Sequence, residues 1–243
     1  MRVGVYVDGF NLYHGGREHF GRGAAGWRWL DIRSLAADLI GRRRNWVGAT
    51  IDRVVYCTAR IDGATNESGH RDQDIYLKAL LATESVDLIE YGYFAARVKR
   101  APLATADPRG RPILTTSRWP LMVRDSTEKD VPGAQFMVSY AHREEKGSDV
   151  NVAAHLLLDT LERRIDAAVV VSNDSDLRLP IEQARQRIPV GTVNPSRHQL
   201  AGALRGQETG GVGRHWWVQL DRAAFCAHQL PDPSKTYAKP QGW

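Results

Sequence analysis

Four aspartates lie where a predicted sheet would bring carboxylates together. The apolar runs "VGVYV" and "VVVSN" end in Asp8 and Asp174, and Asp176 follows two residues later. In a parallel sheet, both strand ends would meet at one edge, where ligands bind in such folds. Asp149 opens a helical pattern and lies on the same helical face as its apolar residues, at the N-terminal rim. The spacing therefore predicts a carboxylate cluster at this edge.

Carboxylates in such a cluster repel, by about 4 kcal/mol for a pair 4 Å apart at an effective dielectric constant of 20. A bound proton or a cation must offset this repulsion. Oxygen ligands favour Mg²⁺ or Mn²⁺ over zinc, and such an ion can activate water for attack on a phosphodiester. The alternative is that Asp149 stabilises a helix dipole while the other aspartates form turns.

Basic residues are concentrated in one stretch of a chain whose formal net charge is +5. Between residues 97 and 124, seven basic residues stand against one acid. Guanidinium groups match phosphate geometry, so this stretch favours a polyanionic partner, although a solvated surface is the open alternative. Lys146, three residues before Asp149, is a candidate phosphate contact or an ordinary exposed lysine. The candidate substrate-binding residues of the stretch are Arg97, Lys99, Arg100 and Arg118.

Strand patterns alternate with helix patterns along the chain, which predicts βαβ units around a parallel sheet. Residues 98–135, rich in Pro, Gly and Arg, are predicted to form a loop or β-hairpin excursion. Strands are predicted at 3–7, 51–59, 87–97, 169–172 and 188–194, and helices at 29–44, 71–83, 148–164, 180–187 and 197–205.

Three motifs, "VYVDGFNLYHG", "EKGSDVNVAAHLL" and "AAVVVSNDSDLRLPIEQA", together resemble the NYN domain family, including its bacterial LabA/DUF88-like proteins. The resemblance runs from residue 1 to about 195. It implies an α/β fold of the PIN-like type, a three-layer sandwich with a central, mostly parallel sheet and here an inserted hairpin or loop. Residues 1–205 would form this domain, and residues 206–243 a C-terminal extension packed on it.

The resemblance also implies site residues and an activity. Asp8, Asp149, Asp174 and Asp176 would be catalytic and would hold the metal. Asn11 would orient a ligand or an acid, and Ser172 and Asn173 would shape the strand-end turn and contact substrate. Some family members carry an acid where this chain has His155, a residue whose spacing instead favours a surface pair with Asp159.

These features predict a metal-dependent endoribonuclease that cleaves RNA through an aspartate-held Mg²⁺ or Mn²⁺ ion. A non-catalytic RNA-binding or regulatory protein is the alternative. A phosphatase is disfavoured because Gly9 and Phe10, not a second acid, follow Asp8. A dinucleotide-binding fold is disfavoured because no G-x-G-x-x-G motif follows the first strand. With two cysteines and no recognisable leader or membrane segment, the sequence predicts a cytoplasmic protein with RNA as partner, no membrane association and a possible homodimer.

Overall fold

Valine-rich runs form the centre of a parallel sheet, because continuous apolar strands are stable where helices cover both faces. The computed structural model describes residues 1–109, 111–114, 124–131 and 137–243. The strands are β1 (Arg2–Asp8), β2 (Thr50–Ala59), β3 (Leu88–Pro102), β4 (Ala104–Ala106), β5 (Pro112–Leu114), β6 (Met137–Lys146), β7 (Ala167–Val171), β8 (Val190–Asn194) and β9 (Trp216–Gln219).

The helices connect these strands and supply most of the material that covers the sheet. They are α1 (Gly9–Phe20), α2 (Ile32–Gly41), α3 (Glu67–Ala82), α4 (Ser148–Leu161), α5 (Arg178–Arg185), α6 (Gly202–Arg205) and α7 (Arg222–Ala227). Among the described residues, no helix has the length and apolar character needed to cross a membrane.

The sheet of the described residues has seven strands in the order β6-β3-β2-β1-β7-β8-β9. The pairs β1–β2, β1–β7, β2–β3, β7–β8 and β8–β9 are all parallel. The prediction of an α/β fold with a central, mostly parallel sheet flanked by helices is therefore confirmed. In this order, the carboxyl ends of β1, β2 and β7 are neighbours.

Alternating residues of the strands build two separate cores. Val3, Val5 and Val7 belong to the core that also contains buried residues of α2 and α3, and we call this side the α3 face. Tyr6 and Cys57 belong to the core that contains buried residues of α4 and α5, and we call that side the α4 face. The arrangement has three layers, with the sheet in the middle.

Helix α1 is the largest element that the sequence pattern did not predict. Its interior glycines lower the helix propensity of this segment, and for this reason the sequence did not indicate a helix. The structure shows why glycine stands at residue 16: a Cβ atom there would lie 2.4 Å from the ring of Trp27. The glycine lets α1 approach this ring closely.

Contacts divide the chain into two units, one of Met1–Phe94 with Glu145–Trp243 and one of Ala95–Glu144. Within the second unit, β4 and β5 form an antiparallel hairpin inside the predicted excursion. Asp107 supports the hairpin turn by accepting hydrogen bonds from the backbone N–H groups of Arg109 and Arg111. The predicted division of the chain after residue 205 stays a prediction.

Candidate active site

The ends of β1 and β7 are joined by the side chain of Asp8, which is buried. Its Oδ1 accepts a hydrogen bond of 2.9 Å from the backbone N–H of Asn11 and so caps α1. Its Oδ2 accepts a hydrogen bond of 3.0 Å from the hydroxyl of Ser172, which in turn accepts from the backbone N–H of Asp174. The strand-end prediction thus correctly places Asp8 beside the β7 turn.

Amide side chains extend this connection. Asn11 Oδ1 accepts a hydrogen bond of 2.9 Å from the backbone N–H of Asn173. The Asn173 side chain accepts from the backbone N–H of Ala201 at 2.7 Å and donates to the carbonyl of Gln199 at 3.3 Å. The structure therefore brings Asp8, Asn11, Ser172, Asn173 and Asp174 together in a cluster whose polar atoms bond to one another and to nearby backbone.

The pKa of Asp8 is raised to about 6, mainly by burial and to a smaller extent by the neighbouring carboxylates Asp174 and Glu145, while the two hydrogen bonds oppose the rise. Glu145 was not predicted as a site residue. Its Oε1 accepts from the hydroxyl and the backbone N–H of Ser148, which fixes it beside the start of α4. Burial is thus the main reason why Asp8 favours a bound proton, and repulsion from the neighbouring acids adds to it.

The remaining predicted acids are more open to solvent. Asp149 lies half-buried in the first turn of α4. Asp176 is exposed in the turn after β7, where its backbone N–H donates to Asp174 Oδ1. Lys146, at the end of β6, is half-buried.

Within the described ranges, no group of three or more His, Cys, Asp or Glu side chains is arranged to hold a metal ion. The predicted roles of Asp8, Asp149, Asp174 and Asp176 as ligands of Mg²⁺ or Mn²⁺ stay a prediction.

The predicted polyanion contacts of the basic stretch belong to the second unit, whereas Lys146 belongs to the first. Arg97 and Arg100 are exposed, whereas Lys99 pairs with Glu144 at 3.5 Å. Arg118 lies outside the described residues. RNA as a partner stays a prediction.

The α4 face carries a second polar network, centred on the buried carboxylate of Asp159. It accepts hydrogen bonds from the Tyr6 hydroxyl at 2.8 Å and from Arg53 at 2.9 and 3.0 Å. The expected surface pair between His155 and Asp159 is wrong, because Asp159 is 1% exposed and faces the sheet. His155 instead contacts Glu90, with Nε2 3.1 Å from Oε1.

The α3 face differs because it contains a cavity of about 340 Å³ within the first unit. This volume is at the lower end of the range for small-molecule sites, which typically have 300–1,000 Å³. Aromatic side chains form much of its wall: Phe10, Tyr13, Trp27, Tyr56, Tyr76, Phe94, Phe225 and Trp243.

Polar side chains also reach the cavity wall. Tyr56 and Thr58 project from the end of β2, and Arg28 lies between two tryptophans in the sequence. His14, on α1, packs against the ring of Phe10 with centroids 4.4 Å apart. Burial lowers the pKa of His14, and nearby Arg17 lowers it further, so this imidazole is neutral near pH 7.

Sequence reasoning missed Arg28, Tyr56 and Thr58 as candidate binding residues. One signal was available: "WRW" at residues 27–29 places a cation between large aromatic residues. Tyr56 and Thr58 gave no such signal, because both are ordinary strand residues.

No model of a known protein family matches the chain. A curated relative is 6-hydroxy-3-succinoylpyridine 3-monooxygenase HspA of Pseudomonas putida, 27% identical over 264 aligned positions that cover 100% of this chain and 75% of the relative. Among solved structures, a Vibrio parahaemolyticus protein of unknown function, VPA0982, is similar with a TM-score of 0.43 and 11% identity, covering 91% of this chain and 93% of the other.

The comparison with the monooxygenase contradicts the predicted function. A monooxygenase is an oxidoreductase, whereas a ribonuclease is a hydrolase of phosphodiester bonds, and the two reactions need different chemistry. The prediction of a metal-dependent endoribonuclease is therefore wrong, and similarity to an enzyme also speaks against the non-catalytic alternative, an RNA-binding or regulatory protein.

Proposed function

We propose that this protein is an oxidoreductase, a monooxygenase that acts on a small heteroaromatic compound bound in the cavity of the α3 face. The observation that carries the proposal is the aromatic wall of this cavity, in a chain aligned over its full length with a pyridine monooxygenase. Flat aromatic side chains favour a flat aromatic ligand, because offset or edge-to-face ring contacts are stabilising.

The volume limits what the cavity holds. About 340 Å³ accommodates a single ring with a short chain.

Monooxygenation also consumes O₂ and two electrons, since one oxygen atom enters the organic product and the other leaves as water. The sequence after β1 does not fit a dinucleotide fingerprint, so we treat the electron donor as a second substrate supplied in the assay.

His14 is our candidate for proton transfer in this cavity. A neutral imidazole on the wall accepts a proton from a ring hydroxyl, and ionisation of that hydroxyl makes the ring more electron-rich and easier to oxidise. The His14→Gln variant should therefore lower kcat more than it changes KM, by roughly 10²-fold or more.

The test is turnover of 6-hydroxy-3-succinoylpyridine with a reduced nicotinamide, with and without added flavin. We expect substrate-dependent O₂ uptake and a product that gains one oxygen atom from ¹⁸O₂ by mass spectrometry. Trp217→Phe is a control, because Trp217 is 41% exposed and does not line the cavity. Absence of substrate-dependent O₂ uptake with every donor would reject the assignment.

We also propose that the fold is related to NYN and PIN-like domains, as a statement about ancestry and not about hydrolysis. The supporting observations are the three sequence motifs and the position of β1 between β2 and β7. A crystal structure in which the motif residues Asp8, Asn11 and Ser172 do not adjoin would count against this relationship.

A further inference from the structure

Two hydroxyl groups on the cavity wall lack a partner within the described part of the protein. Tyr56 and Thr58 are each 6% exposed, and both line the cavity from the same side of β2. Neither hydroxyl makes a hydrogen bond to another described residue, although Tyr76 on the same wall donates to the carbonyl of Leu30 at 2.8 Å. Both hydroxyls open onto the cavity, where they are free to form hydrogen bonds with the polar substituents of a ligand.

Arg28 places a positive charge on the same wall. Its terminal nitrogens donate only long hydrogen bonds, 3.2 Å to the carbonyl of Ala24 and 3.4 Å to that of Gly242. Its Nε is buried without a partner, and no carboxylate among the described residues forms an ion pair with it. An anionic ligand would supply this guanidinium with the ionic partner that the described residues do not give it.

Aromatic rings hold this guanidinium in place. Its central carbon lies 5.4 Å from the ring centroid of Trp27 and 6.0 Å from that of Trp243. Asp72 also lines the cavity, but Arg71 lies 3.5 Å from its carboxylate. Arg28 is therefore the charged side chain of this wall that has no ionic partner among the described residues.

Resting on the proposed function, we infer that the cavity selects an aromatic compound that carries a carboxylate on a short chain. Arg28 binds the carboxylate, the tryptophan rings flank the bound molecule, and the hydroxyls of Tyr56 and Thr58 bond to the polar groups of the ring. Arg28 is then the specificity-determining residue, because its planar fork donates two parallel hydrogen bonds to a carboxylate.

Isothermal titration calorimetry at pH 7.5 tests whether Arg28 selects a carboxylate. The two probes are 6-hydroxy-3-succinoylpyridine and its terminal carboxamide. The wild-type protein should bind the acid roughly 10- to 100-fold more tightly than the amide, as expected for hydrogen bonds to a charged group. Arg28→Gln should remove this preference by weakening acid binding alone. Tyr56→Phe should weaken both probes by a similar factor.

Arg222→Gln is the matched control, since Arg222 also lies over an aromatic ring, 4.8 Å from the centroid of Phe20, but does not line the cavity. It should keep the preference for the acid. Circular dichroism checks the fold of each variant. If Arg28→Gln does not fold, the comparison of acid and amide on the wild-type protein decides the question, with Arg28→Lys as the second variant.

The outcomes separate the two proposals. Arg28-dependent preference for the acid without O₂ uptake would refute the monooxygenase and leave this inference standing. O₂-dependent turnover with equal binding of acid and amide would refute the inference and leave the function standing. Failure of both probes to bind the wild-type protein would overturn the inference.

Discussion

The two faces of the sheet differ in whether their buried polar side chains have hydrogen-bond partners. On the α4 face, Asp8 and Asp159 are buried, and their carboxylate oxygens accept hydrogen bonds from neighbouring groups. On the α3 face, Tyr56 and Thr58 place hydroxyls that bond to no other described residue on the cavity wall, and the Nε of Arg28 is buried there without a partner. The comparison shows that converging acids can serve to hydrogen-bond one strand or helix to another. Polar groups without partners around a cavity instead indicate a ligand.

The largest expected effect tests the network on the α4 face. Asp159→Ala should destabilise the fold by about 3–5 kcal/mol, because it leaves Arg53 partly buried without its partner. Urea denaturation measures this. Asp166→Ala removes an ion pair with Arg2 in which both side chains are nearly half exposed, together with a hydrogen bond from the Arg2 backbone N–H, and it should cost much less than Asp159→Ala. Equal losses of unfolding free energy in the two variants would contradict the expectation that the buried network contributes more than the exposed ion pair.

The next effect depends on pH and concerns Asp8. Because its folded pKa, about 6, lies above its ordinary value of 3.8, the native state binds the proton more tightly than the unfolded state. The associated stability is complete below pH 3.8 and is lost as the pH rises through 6. The Asp8→Asn variant lacks this titration, so its stability relative to wild type should rise by roughly 2 kcal/mol between pH 4.5 and pH 7.5.

Chemical denaturation at several pH values measures this difference, and a difference that does not change with pH would contradict the raised pKa. The same experiment with added Mn²⁺ tests the metal prediction. An ion held by Asp8 should stabilise the wild-type protein and not Asp8→Asn at pH 7.5.

A smaller effect is expected for a hydroxyl that has a partner on the α3 face. Tyr76→Phe removes the hydrogen bond to the carbonyl of Leu30 and should cost about 1 kcal/mol. Thermal unfolding of the variant checks this value. A cost near zero would mean that the carbonyl finds another donor.

The smallest effect is expected for the matching tyrosine without a partner. Tyr56→Phe removes a buried hydroxyl that bonds to no described residue, so unfolding stability should change by less than about 0.5 kcal/mol or increase. A loss comparable to that of Tyr76→Phe would show that the Tyr56 hydroxyl is bonded within the protein. That result would remove one of the reasons for placing a ligand there.

Sequence patterns predicted five strands of the sheet (β1, β2, β3, β7 and β8) and the meeting of Asp8 with the β7 turn, because apolar runs and the parallel-sheet rule are local or general properties. They did not predict the cavity. Arg28 reaches the carbonyl of Gly242, 214 residues away, and such proximity leaves no trace in local spacing. The functional prediction was based on the aspartates because carboxylates after apolar runs are easily recognised in a sequence. Tyr56 and Thr58 look like ordinary strand residues and were not considered.

The tryptophans around the cavity also have a practical consequence. Trp27 and Trp243 line the cavity, and indole fluorescence is sensitive to a ring that stacks against it. Ligand entry should quench the intrinsic emission of the protein, and Trp27→Phe should reduce that signal. The protein therefore carries its own optical reporter, with which a library of aromatic acids can be screened without labels or a working activity assay.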